Sequence, residues 1–531
     1  MFKKKPSSQA PSPGIKTAPF NFFQIERYFA LVKKDNILQT IADRTYQDLD
    51  LEDVFKFIDR TSGNVGQQYL YNMLRTIPAG NYRSERIENL IKIFDQNLPV
   101  KQAILSELSG LHNKDAYYIY ALFLQKYIEK PGWFWIVQVL SLASVCSVFL
   151  SFVFPQFLIF LLLLLAVNFG FHYWNKNNLH QYGSSIPQLM RMNGVAKKIL
   201  EFRLFDTGNG SLSSSIKMLD SLGFSMSLFK LEANLQSELG LFVEYLMELI
   251  KALFLIEPIL LFRTLKILDS KRSQIQEVFD FVGEIDAALS IQALRKDLSH
   301  ACIPSISADH RYLGARGMYH PLIFNAVPND IIVDQKSVLL TGSNMSGKST
   351  FIRSIGTNVI LGQAINTCFA TEFVLPEMKV HSCIRVSDDL LNEKSYYFEE
   401  VLAVKNLLDE SQIGPGNLFL LDELFKGTNT VERIAAGKSV LTYLNKGSNL
   451  VFVSTHDLEL ADHLSETFDL YHFSEVIEEH DILFDYKLKR GNLVTTNAIR
   501  ILELNGYPPE VIADAIHTSR TLKHRNDRYE S

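Results

Sequence analysis

The sequence predicts an α+α/β chain: a helical half interrupted by a long apolar helical hairpin, then an α/β half built on parallel strands. Three observations carry this. Residues 133–174 contain no Asp, Glu, Lys or Arg. Residues 45–130 and 177–300 are mostly helical in pattern, with few turn signals, and KMLDSLGFSMSLFKLEANLQ and SQIQEVFDFVGEIDAALSIQALRKDL place apolar side chains at three- and four-residue spacing. After Pro304, short β-rich runs such as SVLLTG, NLFLLDEL and NLVFVSTH alternate with helical segments, as in a parallel sheet with crossover helices.

Composition sets the outer limits. A chain of 531 residues corresponds to about three to four domains. With 47% hydrophobic and 21% charged residues, it is neither wholly disordered, collagen-like, nor a disulfide scaffold. Lys+Arg 53 against Asp+Glu 58 gives a net charge of −5. Binding of nucleic acid by the whole surface is therefore excluded, and any such contact must be a local patch. Cys146, Cys302, Cys368 and Cys383 lie too far apart in sequence for a metal or redox pair and read as free thiols of a reducing compartment.

Taken in chain order, residues 1–42 are expected to be a basic, Pro- and Ser-rich disordered tail and linker. No apolar run follows its charges at once, so it does not read as a secretory signal. Residues 43–130 form the first part of the helical region and 131–176 the hairpin. The hairpin is long enough for two spans of ~20 residues, with Pro155-Gln156 as the break. All three tryptophans, Trp133, Trp135 and Trp174, lie at its outer ends with Tyr173, where interfacial aromatics belong. Lys126 and Lys130 flank one end and Lys176 the other. Positive flanks place both ends in the cytoplasm and the turn outside, making a multi-pass protein of the inner or plasma membrane. Residues 177–304 continue the helical region. Within them Leu239–Phe262 carries Glu244, Glu248 and Lys251 along one stripe, which predicts one amphipathic packing helix, not a span.

The α/β half holds the chemistry. The strand SVLLTG runs into Gly342-Ser343-Asn344-Met345-Ser346-Gly347-Lys348-Ser349-Thr350. This fits G-x-x-x-x-G-K-[ST] in the required strand–loop–helix setting. Glycines let the backbone curl around phosphates, and the loop amides and helix N-terminus present positive partial charge to them. Lys348 is expected to reach the β- and γ-phosphates of ATP and Ser349 to ligate Mg²⁺. The apolar strand Asn417–Leu421 ends in Asp422, a second Mg²⁺ ligand, and Glu423, placed to activate the attacking water. A third strand ends in Thr455-His456, where His456 can bond the γ-phosphate or the water.

Together these segments resemble the ATPase domain of the MutS family. GSNMSGKST resembles that family's GPNMGGKST, with Ser343 and Ser346 as departures; DELFKGTNT (422–430) resembles DEIGRGTST, and STHDLEL (454–460) resembles THYxEL. Met318-Tyr-His-Pro321 resembles the opening motif of the domain, and residues 486–515 its helical dimerisation end. Upstream, residues 43–75 are similar to the start of the family's helical core and 285–294 to its last lever helix.

The resemblance implies a core and lever region followed by a P-loop, ABC-type α/β ATPase domain at 305–516, with 517–531 as a tail. It implies a homodimer in which Ser395 contacts the partner's ATP and Tyr486 packs on adenine. It also implies DNA as a partner. The family's mismatch-reading domain lies ahead of the core, where only residues 1–42 stand here. No aromatic-x-Glu wedge and no clamp segment between 177 and 300 is recognisable, so mismatch reading is not expected. The leading expectation is a membrane-anchored, MutS-like ATPase whose nucleotide cycle moves the levers. The alternatives are a repair protein that senses distorted duplex through its levers alone, and an ABC-type ATPase coupled to a membrane process without DNA.

Overall fold

The computed structural model describes residues 16, 19–205, 210–221, 238–343, 345–385, 396–478, 481–493 and 498–526. Helices and sheets are mixed, with helix predominating. The chain divides into two units and crosses between them several times: residues 1–35, 58–73 and 85–297 form the first, and 36–57, 74–84 and 298–531 the second.

The first unit is helical. Its axis is the helix Arg272–Asp297, which buries Ile275, Val278, Phe279, Val282, Ile285 and Leu289. This three- and four-residue stripe packs with Tyr28, Phe94, Leu108, Leu189 and Met192 in one core. Asp286 on this helix is fully buried and accepts the N–H groups of Ser62 and Gly63, both at 2.8 Å. These amides precede the helix Asn64–Arg75, so a carboxylate from elsewhere in the chain serves the end of that helix. Burial raises the Asp286 pKa to about 7, against the lowering effect of those two N–H bonds. The approach requires a glycine nearby, because a Cβ on Gly66 would stand 2.1 Å from Asp286 Oδ2.

Two long helices leave this core, Trp135–Ser151 and Phe157–Gly183. Residues Gly132–Ser151 and Phe157–Asn175 are long and apolar enough to cross a membrane. They are not the core of the unit. Leu142, Phe149 and Leu162 are 64%, 70% and 66% exposed, which is costly for large apolar side chains facing water. The Trp133 and Trp174 rings meet edge-on at 4.9 Å.

The second unit is built on a six-stranded sheet. Its strands lie in the order β14 (Lys489–Arg490), β11 (Phe468–His472), β6 (Ser337–Thr341), β10 (Leu450–Ser454), β9 (Asn417–Asp422) and β8 (Lys379–Cys383). All neighbours are parallel except the β14–β11 pair. Strands β6 and β10 are buried at every residue, which is why they read as continuous apolar runs. The helix Lys348–Ile365 packs on the sheet, and Tyr396–Glu410, Thr430–Leu444 and Leu458–Leu464 close a core on Leu339, Phe419, Leu421 and Val453. A smaller sheet has the order β3 (Ser305–Ser307), β7 (Glu372–Pro376), β4 (Tyr312–Met318), β5 (Asn329–Asp334).

Four expectations change. Residues 43–57 and 74–84, assigned above to the helical region, belong to the second unit, where β1 (Ile37–Thr40) pairs with β2 (Thr76–Pro78). Here the Gln39 side chain donates to Val380 O at 2.8 Å and accepts from Val380 N at 2.7 Å, covering the edge of β8. Asp48, 1% exposed, accepts from Ser382 Oγ (2.6 Å), Ile384 N (3.0 Å) and Arg385 N (2.9 Å). Residues 1–42 are not all tail: Phe22–Leu31 is a helix capped by Asn21, with Ile25, Tyr28 and Phe29 buried. At the other end the helix Pro509–Asn526 continues past the expected boundary at 516. Finally, Leu239–Phe262 is not one helix. It breaks at Leu255, whose φ is 50°, between Glu238–Phe254 and Ile256–Asp269.

Candidate active site

The site gathers at the C-terminal ends of β6, β9 and β10, the edge at which open α/β sheets bind ligands. The loop after β6 depends on two glycines. Gly342 has φ 137°, and a Cβ there would meet the Phe473 carbonyl at 2.6 Å. Gly347, at φ 105°, starts the helix Lys348–Ile365. Such positive φ values suit glycine. Ser346 Oγ donates to Ser343 O at 2.7 Å and stiffens the loop, while Met345 is exposed. Asn344 lies outside the described residues.

Lys348 is 2% exposed. Its ammonium donates to the carbonyls of Gly342 at 2.6 Å and Ser343 at 2.9 Å, so it is aimed along the loop. Burial lowers its pKa to about 8, opposed by Glu423 and Asp422. The next residues complete a small oxygen cluster. Ser349 Oγ donates to Asp422 Oδ2 at 2.6 Å, and Ser454 Oγ donates to Asp422 Oδ1. Ser454 stands opposite Asp422 in the β10–β9 register, which sets that contact. Thr350 follows Ser349 in the first turn of the helix, and its carbonyl accepts from Ser354 Oγ at 2.8 Å.

Glu423 is held in a left-handed conformation, φ 50°, with its N–H on Ser454 O at 2.9 Å. One carboxylate oxygen meets His456 Nε2 at 2.8 Å and the other Lys426 Nζ at 2.8 Å. Burial alone would raise its pKa, but the hydrogen bonds from His456 and Lys426 outweigh it and bring the value to about 2. The carboxylate is thus held as an anion. His456 is followed by Asp457, which takes both Nε and Nη of Arg433, at 2.8 and 2.7 Å.

Tyr486 also reaches the loop. Its ring edge would lie 3.3 Å from a Cβ on Gly347, and it stacks on Phe484 with centroids 5.9 Å apart and planes at 29°. Asn329 Nδ2 fixes its carbonyl at 3.0 Å. Lys348, Ser349, Asp422, Glu423 and His456 therefore stand together, with Tyr486 at the loop's glycine. Ser395 lies outside the described residues. Sequence reasoning missed Ser454, Lys426 and Phe473. Ser454 was visible as the last residue of a buried strand beside the one ending in Asp422; the other two carry no spacing signal.

This geometry fits a phosphate ligand. Ser343 Oγ is buried and has no hydrogen-bond partner among the described residues. The donor set of Ser349 and Asp422 is all oxygen, the preference of Mg²⁺, which typically takes one or two protein ligands and completes its shell with phosphates and water. Among the described residues no group of three His, Cys, Asp or Glu side chains is arranged to hold a metal by itself.

A profile of the family described as MutS domain V matches residues 338–523. Over these residues the chain resembles MutS domain V. The match takes in the whole loop, both carboxylates, His456 and Tyr486. The chain is also similar to the DNA mismatch repair protein MutS of Pseudothermotoga lettingae, 32% identical over 261 residues, covering 47% of this chain and 31% of that protein. MutS of Geobacillus sp. is 29% identical over 272 residues, 48% and 31% of the two chains. The DNA mismatch repair protein MSH3 of Kluyveromyces lactis is 28% identical over 289 residues, 50% and 27%. The stretch shared with these MutS-family relatives is thus about half of this chain and under a third of each of theirs.

Proposed function

We propose that this chain is a membrane-anchored, Mg²⁺-dependent ATPase of the MutS type. The observation that carries the reading is the meeting of Ser349 and Asp422 at 2.6 Å beside Lys348 and Glu423. Lys348, released from the loop carbonyls, would bind the β- and γ-phosphates. Ser349 and Asp422 would hold Mg²⁺, which neutralises phosphate charge when bound. Glu423 would orient and deprotonate water once His456 and Lys426 let go of its oxygens. His456 would then bond the γ-phosphate or the water, and Tyr486 would pack on adenine.

The exposed apolar surface of Gly132–Ser151 and Phe157–Asn175 supports the anchor. The lysine flanks support cytoplasmic ends in a multi-pass inner or plasma membrane protein. Homodimerisation with Ser395 acting across the interface, and coupling of the nucleotide cycle to movement of the helix Arg272–Asp297, follow from the family resemblance. DNA is proposed as the partner because the relatives are DNA mismatch repair proteins.

The test is ATP binding and turnover by the detergent-solubilised chain, with Mg²⁺ and with EDTA, on duplex, mismatched, branched and single-stranded DNA and without DNA. Mg²⁺-dependent turnover and weaker nucleotide binding by Lys348→Ala are expected. Equal nucleotide affinity of the two proteins refutes the assignment of the loop. Turnover indifferent to every DNA leaves the ATPase coupled to a membrane process instead.

A further inference from the structure

The helices on either side of Leu255 form a second hairpin, and its tip is bound to the two apolar helices. Asn168, fully buried in Phe157–Gly183, donates to Leu253 O at 2.7 Å and to Ser144 Oγ at 3.0 Å. Ser141, in Trp135–Ser151, donates to Phe254 O at 2.7 Å. The carbonyls ending a helix lack partners within it. Here they receive them from both apolar helices, as backbone must where water is absent.

The depth of the tip follows from those partners. Ser141 lies about six residues beyond Trp135 and Asn168 about six before Trp174, or ~9 Å below the tryptophan level at 1.5 Å per residue. One leaflet of the hydrocarbon core is ~15 Å thick. The charges near the tip fit this depth. Lys251 Nζ pairs with Glu257 at 3.2 Å, with side chains 9% and 12% exposed. His172 joins them, Nε2 3.1 Å from Glu248 and Nδ1 3.6 Å from Glu257. The charges thus pair inward, as ionisable groups within membranes do. Outward-facing Tyr245, Leu246 and Leu249 are exposed and available to lipid. The cleft between the two hairpins, roughly 600 Å³, is lined by Val145, Val148, Phe149, Phe254, Ile259 and Leu260 among others, an apolar wall continuous with the anchor.

We infer that the hairpin Glu238–Asp269 enters the tryptophan-side leaflet, turns at Leu255 without crossing, and is a second contact of this protein with lipid. This deepens the anchor reading and rests on it. The helix Ile256–Asp269 leads through Ser270 and Lys271 into Arg272–Asp297, so lipid holds one end of the helical unit's axis.

The test is nitroxide depth measurement on the full chain in vesicles of phosphatidylcholine and phosphatidylglycerol. Cys302→Ser leaves exposed Cys146 as the anchor label, since Cys368 and Cys383 are buried. Adding Cys146→Ser permits single labels at Ile256→Cys, Leu249→Cys and Ser270→Cys. Relaxation by oxygen relative to a soluble nickel chelate should be several-fold higher at Ile256 than at Ser270, with Leu249 between them. If Cys146 reads lipid while Ile256 and Leu249 read water, the second insertion is wrong and the anchor stands. If Cys146 itself reads water, the anchor fails and takes this inference with it. Should Ile256→Cys not fold, Leu249 against Ser270 decides.

Discussion

Replacing Asp48 by alanine isolates one interaction whose cost can be worked from its geometry. The side chain is buried and accepts three hydrogen bonds, from the Ser382 hydroxyl and the N–H groups of Ile384 and Arg385. Hydrogen bonds to a charged acceptor contribute about 1.5–3 kcal/mol each. The sum overstates the loss, because Arg385 is exposed and Ile384 half-buried, so water can serve those amides in the variant, and the Ser382 hydroxyl can rotate. A net cost of about 3–5 kcal/mol remains, the range for removing one partner of a buried charged interaction. Tryptophan fluorescence does not report it, since Trp133, Trp135 and Trp174 all lie in the other unit. Hydrogen exchange of peptides spanning Asn417–Asp422 and Leu450–Ser454 does. At about 1.4 kcal/mol per factor of ten, exchange through unfolding of this unit should quicken by roughly two to three and a half orders of magnitude. Asp48→Asn keeps one acceptor and should cost less. Exchange less than about fivefold faster in Asp48→Ala, a change near 1 kcal/mol, would refute the claim that Asp48 holds this segment on the sheet.

The remaining predictions concern the site, the helical unit and the membrane. Glu423→Gln should bind ATP normally and lose about 10²–10⁴-fold in turnover, the share of a general base; single-turnover kinetics checks it, and unchanged turnover removes Glu423 from the mechanism. The raised Asp286 pKa means the folded state holds its proton more tightly than the unfolded state. Its contribution to stability is full below about pH 4 and lost as pH rises through about 7. Tryptophan-detected urea midpoints between pH 5 and 8 should show a slope that Asp286→Asn flattens. A Ser395→Ala chain mixed with a Lys348→Ala chain should exceed the mean activity of the two homodimers, because the heterodimer contains one intact site; no gain despite proven subunit exchange rules out action across the interface. The intact chain should sediment with membranes without detergent, and a wholly soluble chain rules out the anchor.

The parts legible in the sequence share one property: they are runs whose neighbours in space are neighbours in pattern. Strands β6, β9 and β10 are flanked by helices on both faces and read as unbroken apolar runs ending in the chemistry. Pro155 marks the turn between two helices that carry no Asp, Glu, Lys or Arg from Trp135 to Trp174. The missed parts depend on single polar side chains reaching across long separations. Neither Gln39 at Val380 nor Asp48 at Ser382 has any periodicity to announce it. Strands as short as Thr76–Pro78 are below what alternation can reveal. Leu255 breaks its helix in a left-handed conformation three residues before Pro258, which has no N–H to offer the Phe254 carbonyl; the polar stripe carried the reading past that signal. At the site, the loop motif and the strand-end carboxylates could be found by spacing, but the clasp of His456 and Lys426 on Glu423 could not.

The cover that Gln39 lays over strand β8 bears on how this protein is made and how it can be cut. The covering segment leaves the ribosome long before the strand it protects, and the helical unit and the apolar hairpin are synthesised in between. Until Val380 arrives, the segment has no sheet to join, and assembly of the second unit must wait for the end of translation. The same order governs dissection. A fragment begun at Leu298 would keep every residue of the loop and both carboxylates, yet it would leave β8 as a bare edge and Gly356 without the Leu49 side chain that lies against it. Such a piece is expected to aggregate through strand addition even though its catalytic sequence is complete. A usable soluble version should instead retain residues 36–57 and 74–84, joined to the fragment by linkers that replace the helical unit.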